Sequence, residues 1–239
     1  MPKYSIIVTN NQTKDQPFLL FNDVPRASDN IGQAWTNIYG RNPISSDGGH
    51  GTFEVTEENF AVCGSTSEAL GNGELVHQLL RGPSLSVPVS TRVAGGYEIN
   101  CAAWNPDRYT NIYCGYGKYK AGSKMVTPVA VWTAEPSELY KIYPKVIFYI
   151  STDDYKVGEI VDVASFGQIA TIDFTGKEQT YAYVTKQKDG TYGRVTYEFG
   201  LKDPEELNTE KLNGARMIEE KADGKGETKV EEVSVEELS

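Results

Sequence analysis

Short runs of β-branched and aromatic residues recur along the first 200 residues, and clusters of glycine, proline, asparagine and aspartate separate them. Runs of this length between turn residues are typical of a β-sandwich or a barrel. Helical periodicity is scarce there, since only residues 67–80 and 136–140 offer short turns. The pattern therefore predicts an all-β fold, either an antiparallel β-sandwich of jelly-roll type or a barrel. The predicted strands are residues 4–9, 18–22, 34–39, 51–55, 60–64, 85–93, 126–132, 146–151, 159–163, 168–174, 181–185 and 192–199.

Local signals within these runs indicate turns and edges. Side-chain types alternate along residues 86–90 (Ser-Val-Pro-Val-Ser) and 180–184 (Thr-Tyr-Ala-Tyr-Val). This alternation predicts one buried and one exposed face. Pro88 cannot donate a backbone hydrogen bond, so its strand is predicted to lie at a sheet edge or bulge. Asp189 and Gly190 separate two alternating runs and predict a tight hairpin turn. An exposed edge at 85–93 also makes a homodimer a plausible assembly.

Composition changes after residue 200. The 39 residues from 201 to 239 contain 12 acidic and 6 basic side chains, a net charge of −6, so residues 1–200 carry only −4 of the total of −10. Pro204, followed by two glutamates, is typical of a helix start. We therefore predict a β domain over 1–200 and an acidic tail over 201–239 that is partly helical or disordered. As an alternative, the tail is the segment that binds partners.

The acidic balance excludes several function classes. A charge of −10 and an isoelectric point of about 4.8 disfavour binding to nucleic acid and to anionic membranes. No apolar run approaches the 18 residues of a membrane-spanning helix, and the first residues lack the apolar core of a signal peptide. These features predict a cytoplasmic protein without nucleic-acid or membrane partners.

The few histidines and cysteines argue against a metal site. A closed zinc site needs four nitrogen or sulfur ligands, and the chain has two histidines and three cysteines. Cys63 lies in an apolar run and is predicted to be buried. Cys101 and Cys114 flank an aromatic segment and can meet across a hairpin, although a reducing compartment favours free thiols. We expect no metal and no other cofactor.

Common catalytic motifs are missing or incomplete. His50 lies in a glycine-rich stretch and His77 in an apolar one, and neither accompanies a Gly-x-Ser-x-Gly nucleophile motif. Residues 117–124 contain two glycines followed by serine and lysine, but a phosphate-binding loop needs the lysine directly after the second glycine. The carboxylate pair at Asp153 and Asp154 lies in a turn-like context.

The positive signal is a cluster of aromatic residues. Aromatic side chains make up 11% of the chain, and residues 100–123 combine many of them with glycine, asparagine and proline. A long loop of this composition often lines a ligand pocket, although it can also cover the end of a sandwich. The predicted ring walls are Trp104, Tyr109, Tyr113, Tyr116 and Tyr119. Lys118 and Lys120 are the candidate catalytic residues, as hydrogen-bond or electrostatic donors to a developing oxyanion.

Two stretches carry a resemblance to a known group. Residues 18–25 (Phe-Leu-Leu-Phe-Asn-Asp-Val-Pro) and 143–152 (Tyr-Pro-Lys-Val-Ile-Phe-Tyr-Ile-Ser-Thr) resemble small fungal β-rich proteins of secondary-metabolite pathways. Some of these resemble cofactor-free hetero-Diels–Alderases. The resemblance implies a β-sandwich whose pocket holds a reactive polyene or quinone methide in a near-attack geometry, and it assigns no catalytic residue.

These observations lead to three hypotheses about function. The first is a cofactor-free cyclase or isomerase, pericyclase-like, that binds an apolar and partly aromatic natural-product intermediate. The second is a non-enzymatic binding module, either a lectin or a carrier of a hydrophobic ligand. The third is an interaction protein that acts through its acidic tail.

Overall fold

The described part of the chain is built from β-strands. The computed structural model describes residues 3–28, 30–56, 58–76, 86–90, 96–119 and 126–200. Within these ranges every regular element is a strand except one 3-10 helix (Val163–Ser165), so the predicted all-β class is confirmed. Among the described residues, no helix is long and apolar enough to cross a membrane.

The strands are numbered along the chain. They are β1 (Lys3–Asn10), β2 (Gln16–Asn22), β3 (Arg26–Ala27), β4 (Trp35–Asn37), β5 (Gly40–Ile44), β6 (Gly49–Thr56), β7 (Phe60–Ser65), β8 (Ser86–Ser90), β9 (Tyr97–Asn100), β10 (Ile112–Tyr119), β11 (Val126–Thr133), β12 (Leu139–Tyr143), β13 (Ile147–Thr152), β14 (Ile160–Val161), β15 (Ala170–Asp173), β16 (Tyr181–Lys186) and β17 (Thr196–Glu198).

These strands form four sheets, each named here by one of its strands. The β1 sheet has the order β17-β16-β1-β6, the β10 sheet β14-β4-β11-β10-β7, the β12 sheet β3-β12-β9-β8, and the β13 sheet β15-β13-β2-β5. Paired strands run antiparallel, with β1 and β16 as the parallel exception. In each of the described sheets the two end strands do not pair with each other, so none of these sheets closes into a barrel.

The β1 sheet and the β13 sheet contribute to one apolar cluster, called the main core below. In β16 every second side chain is buried, which is the period-two pattern of a strand with one buried face. Tyr4 of β1 stacks on Phe174, which follows β15, with 4.4 Å between ring centroids. Other buried members from the two sheets are Ile6, Val8, Ala182, Val184, Phe18, Leu20, Phe148 and Ile150.

The predicted hairpin turn at Asp189 and Gly190 is confirmed. Gly190 has a φ of 89°, a left-handed conformation that glycine adopts without steric cost. The Gln187 amide donates to the Thr191 carbonyl at 2.8 Å, and the Thr191 amide donates to the Asp189 carboxylate at 2.9 Å. The turn therefore reverses the chain so that β17 pairs antiparallel with β16.

Strand β8, which contains Pro88, lies at the end of the β12 sheet as the sequence predicts. Its register against β9 is irregular between Ser86 and Ser90. Both features agree with a proline that cannot donate to a sheet ladder.

Part of the long aromatic loop predicted over 100–123 is strand β10, which spans Ile112–Tyr119. β10 occupies a central position in its sheet, between β11 and β7. Gly115 and Gly117 made this segment look like a loop, but a Cβ on Gly115 would collide with the Ala130 carbonyl oxygen. Glycine is therefore needed here because two backbones approach closely, which is one of its positional roles within strands.

Two smaller differences concern secondary structure. Residues 136–140 were expected to offer at most a short turn; residues 136–137 form a turn, and strand β12 begins at Leu139 and buries Tyr140 and Ile142 alternately. His50, predicted in a glycine-rich turn, lies in β6 opposite Thr9. The acidic tail over 201–239 and the predictions for His77 and Lys120 lie outside the described residues.

Candidate functional site

The aromatic residues predicted to line one pocket lie in different places. Tyr113 and Tyr116 are both buried on β10, but Tyr116 belongs to the main core. Tyr113 packs in a second cluster with Val62, Val131 and Ile160. Because an odd spacing along a strand places side chains on opposite faces, the two rings face away from each other across the sheet.

The other three rings are also separated. Trp104 is partly buried against the main core, whereas Tyr109 is 45% exposed and has the Arg108 guanidinium 5.5 Å from its ring centroid. Tyr119 packs on Phe60 with 4.4 Å between centroids. The structure therefore does not bring the five predicted rings together around one cavity.

The candidate catalytic Lys118 is a buried residue. Its Nζ donates a 2.7 Å hydrogen bond to the backbone carbonyl of Thr56 at the end of β6. This bond connects the β10 sheet to the β1 sheet, so the ammonium group has a structural role. Lys120 lies outside the described residues.

Two buried phenols, Tyr39 and Tyr116, belong to the main core. Burial raises the pKa of both Tyr39 and Tyr116, the former also through Tyr116 and the latter through the Asp23 carboxylate. The hydroxyls of both residues have no hydrogen-bond partner in the described part of the chain. Both side chains are therefore neutral at ordinary pH and keep a hydroxyl hydrogen available for donation.

A concave surface lies elsewhere, beside β17, and is called the Tyr197 groove. It is shallow and has a volume of about 410 Å³. Its lining residues are Lys177, Gln179, Arg194, Val195, Thr196 and Tyr197. The groove brings together a turn that follows β15 and the segment that leads into β17.

The turn that carries Lys177 is fixed by its own backbone. The Lys177 amide donates to the Phe174 carbonyl at 3.0 Å, and Gly176 has a φ of 68°. The Thr175 amide donates to the Asp173 carboxylate at 2.8 Å, which closes a local turn. These bonds hold the base of the lysine side chain in one position.

The Tyr197 side chain connects this turn to β17. Its hydroxyl oxygen accepts a 2.9 Å hydrogen bond from the Asp173 amide. Its ring meets the edge of Phe174 at 5.6 Å, and Lys177 Nζ lies 4.6 Å from its centroid. An ammonium group over a tyrosine face is attracted by the ring electrons. The ring is therefore held at one side of the groove.

Arg194 is placed by the hairpin that precedes β17. The amide of Gly193 donates to the Thr185 carbonyl of β16 at 2.9 Å, so the chain is tied to the sheet directly before Arg194. The Arg194 side chain is exposed at the groove. A guanidinium presents several donors in a planar fork that matches a carboxylate.

The groove is positively charged on a chain that is acidic overall. Its lining includes two cations and no carboxylate. In the described ranges, ion pairs join Lys3 to Glu54, Arg41 to Asp154 and Lys145 to Asp23, and none involves Lys177 or Arg194. Both groove cations are therefore without a carboxylate partner in the described part of the chain.

Two exposed glutamates are sequence neighbours of groove residues. Glu178 is exposed next to Lys177 in sequence, and Glu198 follows Tyr197. The Glu198 carboxylate accepts a hydrogen bond from the Tyr183 hydroxyl, whose pKa is raised by burial and by this bond.

The described residues contain no group of three or more histidine, cysteine, aspartate or glutamate side chains placed to hold a metal ion. The Tyr197 groove offers donors and cations, which suit an anion, and no oxygen or sulfur ligand set for a cation.

Sequence reasoning missed the Tyr197 groove. Lys177 and Arg194 are 17 positions apart, and each is a single cation in a turn-rich stretch. The available signals were the Thr175-Gly176 turn and the Asp189-Gly190 hairpin, which present the two cations at turns. Their proximity depends on how the turn after β15 packs against Tyr197 of β17, and the hydropathy pattern does not specify this packing.

Comparisons with known proteins add no relative. No family model matches the chain, and searches of curated proteins and of solved structures return no match.

Proposed function

We propose that this protein is a non-enzymatic binding module that holds a small anionic ligand, such as an acidic sugar, in the Tyr197 groove. The observation that carries the proposal is the pair of cations, Lys177 and Arg194, that share one concave surface without a carboxylate partner among the described residues. Unpaired cations in a cleft favour a negatively charged ligand.

The form of the groove supports a polar ligand of modest size. Its volume of about 410 Å³ is in the range of small-molecule sites, but its shallow shape leaves one side of a ligand in water. Gln179 and Thr196 add hydrogen-bonding groups for hydroxyls, and Arg194 supplies paired donors for a carboxylate. A carboxylated sugar satisfies all three features, whereas an apolar polycycle would leave both cations unused.

The test compares two ligands that differ in one group. D-glucuronate and D-glucose are titrated into the full chain by calorimetry, and we expect binding of the carboxylate alone. The double variant Lys177→Gln with Arg194→Gln should weaken glucuronate binding by roughly tenfold or more, since hydrogen bonds to charged groups contribute about 1.5–3 kcal/mol. The matched control replaces two other exposed lysines, Lys141→Gln with Lys156→Gln, and should bind as the parent does. Equal binding of glucose, or no effect of the groove variant, would contradict the proposal.

A second candidate is the cofactor-free cyclase or isomerase acting on an apolar, partly aromatic intermediate. The buried and unpartnered hydroxyls of Tyr39 and Tyr116 favour it, because a neutral phenol in a dry environment can donate to a developing oxyanion. The test is chromatography with mass spectrometry of a quinone methide mixed with a polyene, with and without protein. Faster cyclisation that Tyr116→Phe removes would support this candidate, and equal rates with and without protein would reject it.

We also propose that the β1 sheet and the β13 sheet stack face to face as a β-sandwich. Support comes from the main core, which takes buried side chains from both sheets, and from the Lys186 ammonium, which donates to the Thr152 hydroxyl of the opposite sheet at 3.1 Å.

A further inference from the structure

The Tyr197 ring has a fixed position beside the groove. Its hydroxyl oxygen accepts the 2.9 Å hydrogen bond from the Asp173 amide, and the Phe174 ring meets it at 81° with 5.6 Å between centroids. Its backbone lies opposite Ala182 in the register of β17 against β16. A side chain ordered in this way loses little conformational freedom when a ligand contacts it.

The side chain of Lys177 covers the face of this ring. Its Nζ lies 4.6 Å from the Tyr197 ring centroid. The face of an aromatic ring is negative, so it attracts an ammonium group. In the ranges that the structure describes, none of the ion pairs involves Lys177. The ring therefore holds the ammonium group where an acidic side chain does not.

The contact between Lys177 and the ring is easily exchanged. The lysine side chain is exposed, and its flexible aliphatic stem can turn away from the ring while the turn keeps its backbone in place. A hydrogen bond from an ammonium group to a carboxylate is stronger than an exposed contact between a cation and a ring. An anionic ligand in the groove can therefore draw Nζ off the ring, whereas a neutral ligand offers no such attraction.

The uncovered ring face suits one side of a sugar. A pyranose has a side formed mainly by C–H groups, whose slight positive charge matches the negative face of a tyrosine ring. The same face repels a carboxylate, so a carboxylate has to lie at Lys177 and Arg194, which line the groove with Tyr197. A uronate has both groups on one small ring.

We propose that Tyr197 is the platform on which the sugar ring stacks, and that Lys177 is a gate that keeps neutral sugars off this platform. A uronate draws the ammonium group to its carboxylate and then stacks its C–H side on the ring. A neutral sugar has to displace the ammonium group without compensation, which is specificity through an obstacle to the wrong ligand. Because the platform lies in the Tyr197 groove, this role of the two residues rests on the proposed function.

The test asks whether removal of the gate admits a neutral sugar. Methyl β-D-glucopyranoside is titrated into the full chain, and its binding is followed by saturation-transfer NMR with irradiation of the aromatic protons. Lys177→Ala should bind this sugar roughly threefold more tightly than the parent or better, since the cation no longer competes for the ring. Lys177→Arg should behave as the parent does, because a guanidinium also stacks on aromatic faces. The matched control Lys156→Ala replaces an exposed lysine outside the groove and should bind as the parent does.

A second set of variants assigns the gained contact to the Tyr197 ring. Tyr197→Leu, added to Lys177→Ala, should remove the gain. Tyr197→Phe in the same background should recover most of it, because the ring stays while the acceptor for the Asp173 amide is lost. Tyr109→Leu in that background removes an exposed ring outside the groove and should leave the gain unchanged. Thermal unfolding by circular dichroism establishes that each variant is folded.

Two results would overturn the gate and platform. The first is an unchanged affinity for the neutral sugar in folded Lys177→Ala, which decides the matter even where Tyr197→Leu does not fold. The second is a gain that survives Tyr197→Leu. The proposed function fails separately, through a parent that does not bind D-glucuronate, and a gain in Lys177→Ala would then still support the gate. Glucuronate binding by the parent without that gain would retain the proposed function and reject the gate.

Discussion

The aromatic strand β10 and the Tyr197 groove are opposites in sequence and in structure. β10 is dense in tyrosine, and seven of its eight residues are buried, from Ile112 to Lys118. The groove has one ordered ring beside two exposed cations. A concentration of aromatic residues in this chain therefore marks a packed interior, whereas the concave surface lies where the sequence shows ordinary turns.

The largest expected effect comes from truncating a ring in β10. Tyr116→Ala should cost about 3–5 kcal/mol of unfolding free energy, because it leaves a cavity in the main core. Tyr109→Ala removes an exposed ring and should change stability by less than about 0.5 kcal/mol. Urea unfolding of the two variants measures the difference. Similar small effects for both would mean that Tyr116 is not packed as described.

The next effect concerns the glycines that place β10 between its neighbours. Gly115→Ala forces a Cβ against the Ala130 carbonyl and should cost about 2–3 kcal/mol, as overpacking of an interior does. Gly167→Ala is the matched control, since a Cβ there meets nothing within 4 Å. Thermal unfolding of both variants provides the test. A neutral Gly115→Ala would contradict the close approach of β10 and β11.

Replacing a buried cation near the β16 hairpin should raise stability, in contrast to the two substitutions in β10. Lys186 is 6% exposed, lies 4.5 Å from the Tyr192 ring centroid, and has no carboxylate partner in the described residues. Burial lowers its pKa, so the charged form is disfavoured in the folded protein. Lys186→Met should therefore stabilise the protein by about 1 kcal/mol at neutral pH.

The pH dependence of this variant follows from the same shift. Below the folded pKa of Lys186 the amine is charged in both states, and the parent carries the full cost of burying it. As pH rises toward the ordinary value of 10.5, the unfolded chain binds more protons than the folded one, so the parent gains stability. The advantage of Lys186→Met should shrink over this range in denaturation at a series of pH values. An advantage that grows with pH would contradict a lowered pKa.

The smallest expected effect on stability belongs to the groove. Lys177→Gln and Arg194→Gln change exposed side chains and should each alter unfolding free energy by less than about 0.5 kcal/mol. Chemical denaturation of each single variant measures this. A loss above about 1 kcal/mol would indicate that the cations stabilise the fold, and it would argue against the groove as a binding surface.

Much of the fold could be predicted from residue patterns. Alternation in β16, the Asp189-Gly190 turn and the proline of β8 each act locally, and each lies where the sequence predicts. Strand β10 was missed because its glycines resemble those of a loop until the backbone of β11 is placed beside them. The short β12 was missed because its alternation spans only five residues.

The candidate site was less accessible to sequence reasoning. The five predicted rings come from one aromatic-rich stretch of sequence, but they do not lie on one face, because positions 113 and 116 point to opposite sides of β10. The groove depends on one contact between distant segments, the hydrogen bond from the Asp173 amide to the Tyr197 hydroxyl. No pattern of residue types in either segment specifies that contact.

The most direct test of the central claim is an amide NMR titration of the ¹⁵N-labelled full chain with D-glucuronate. We expect saturable shifts of the amides of Lys177, Arg194 and Thr196, with the amides of β10 unchanged. Shifts confined to residues 112–119, or the absence of saturable shifts in the groove, would contradict it.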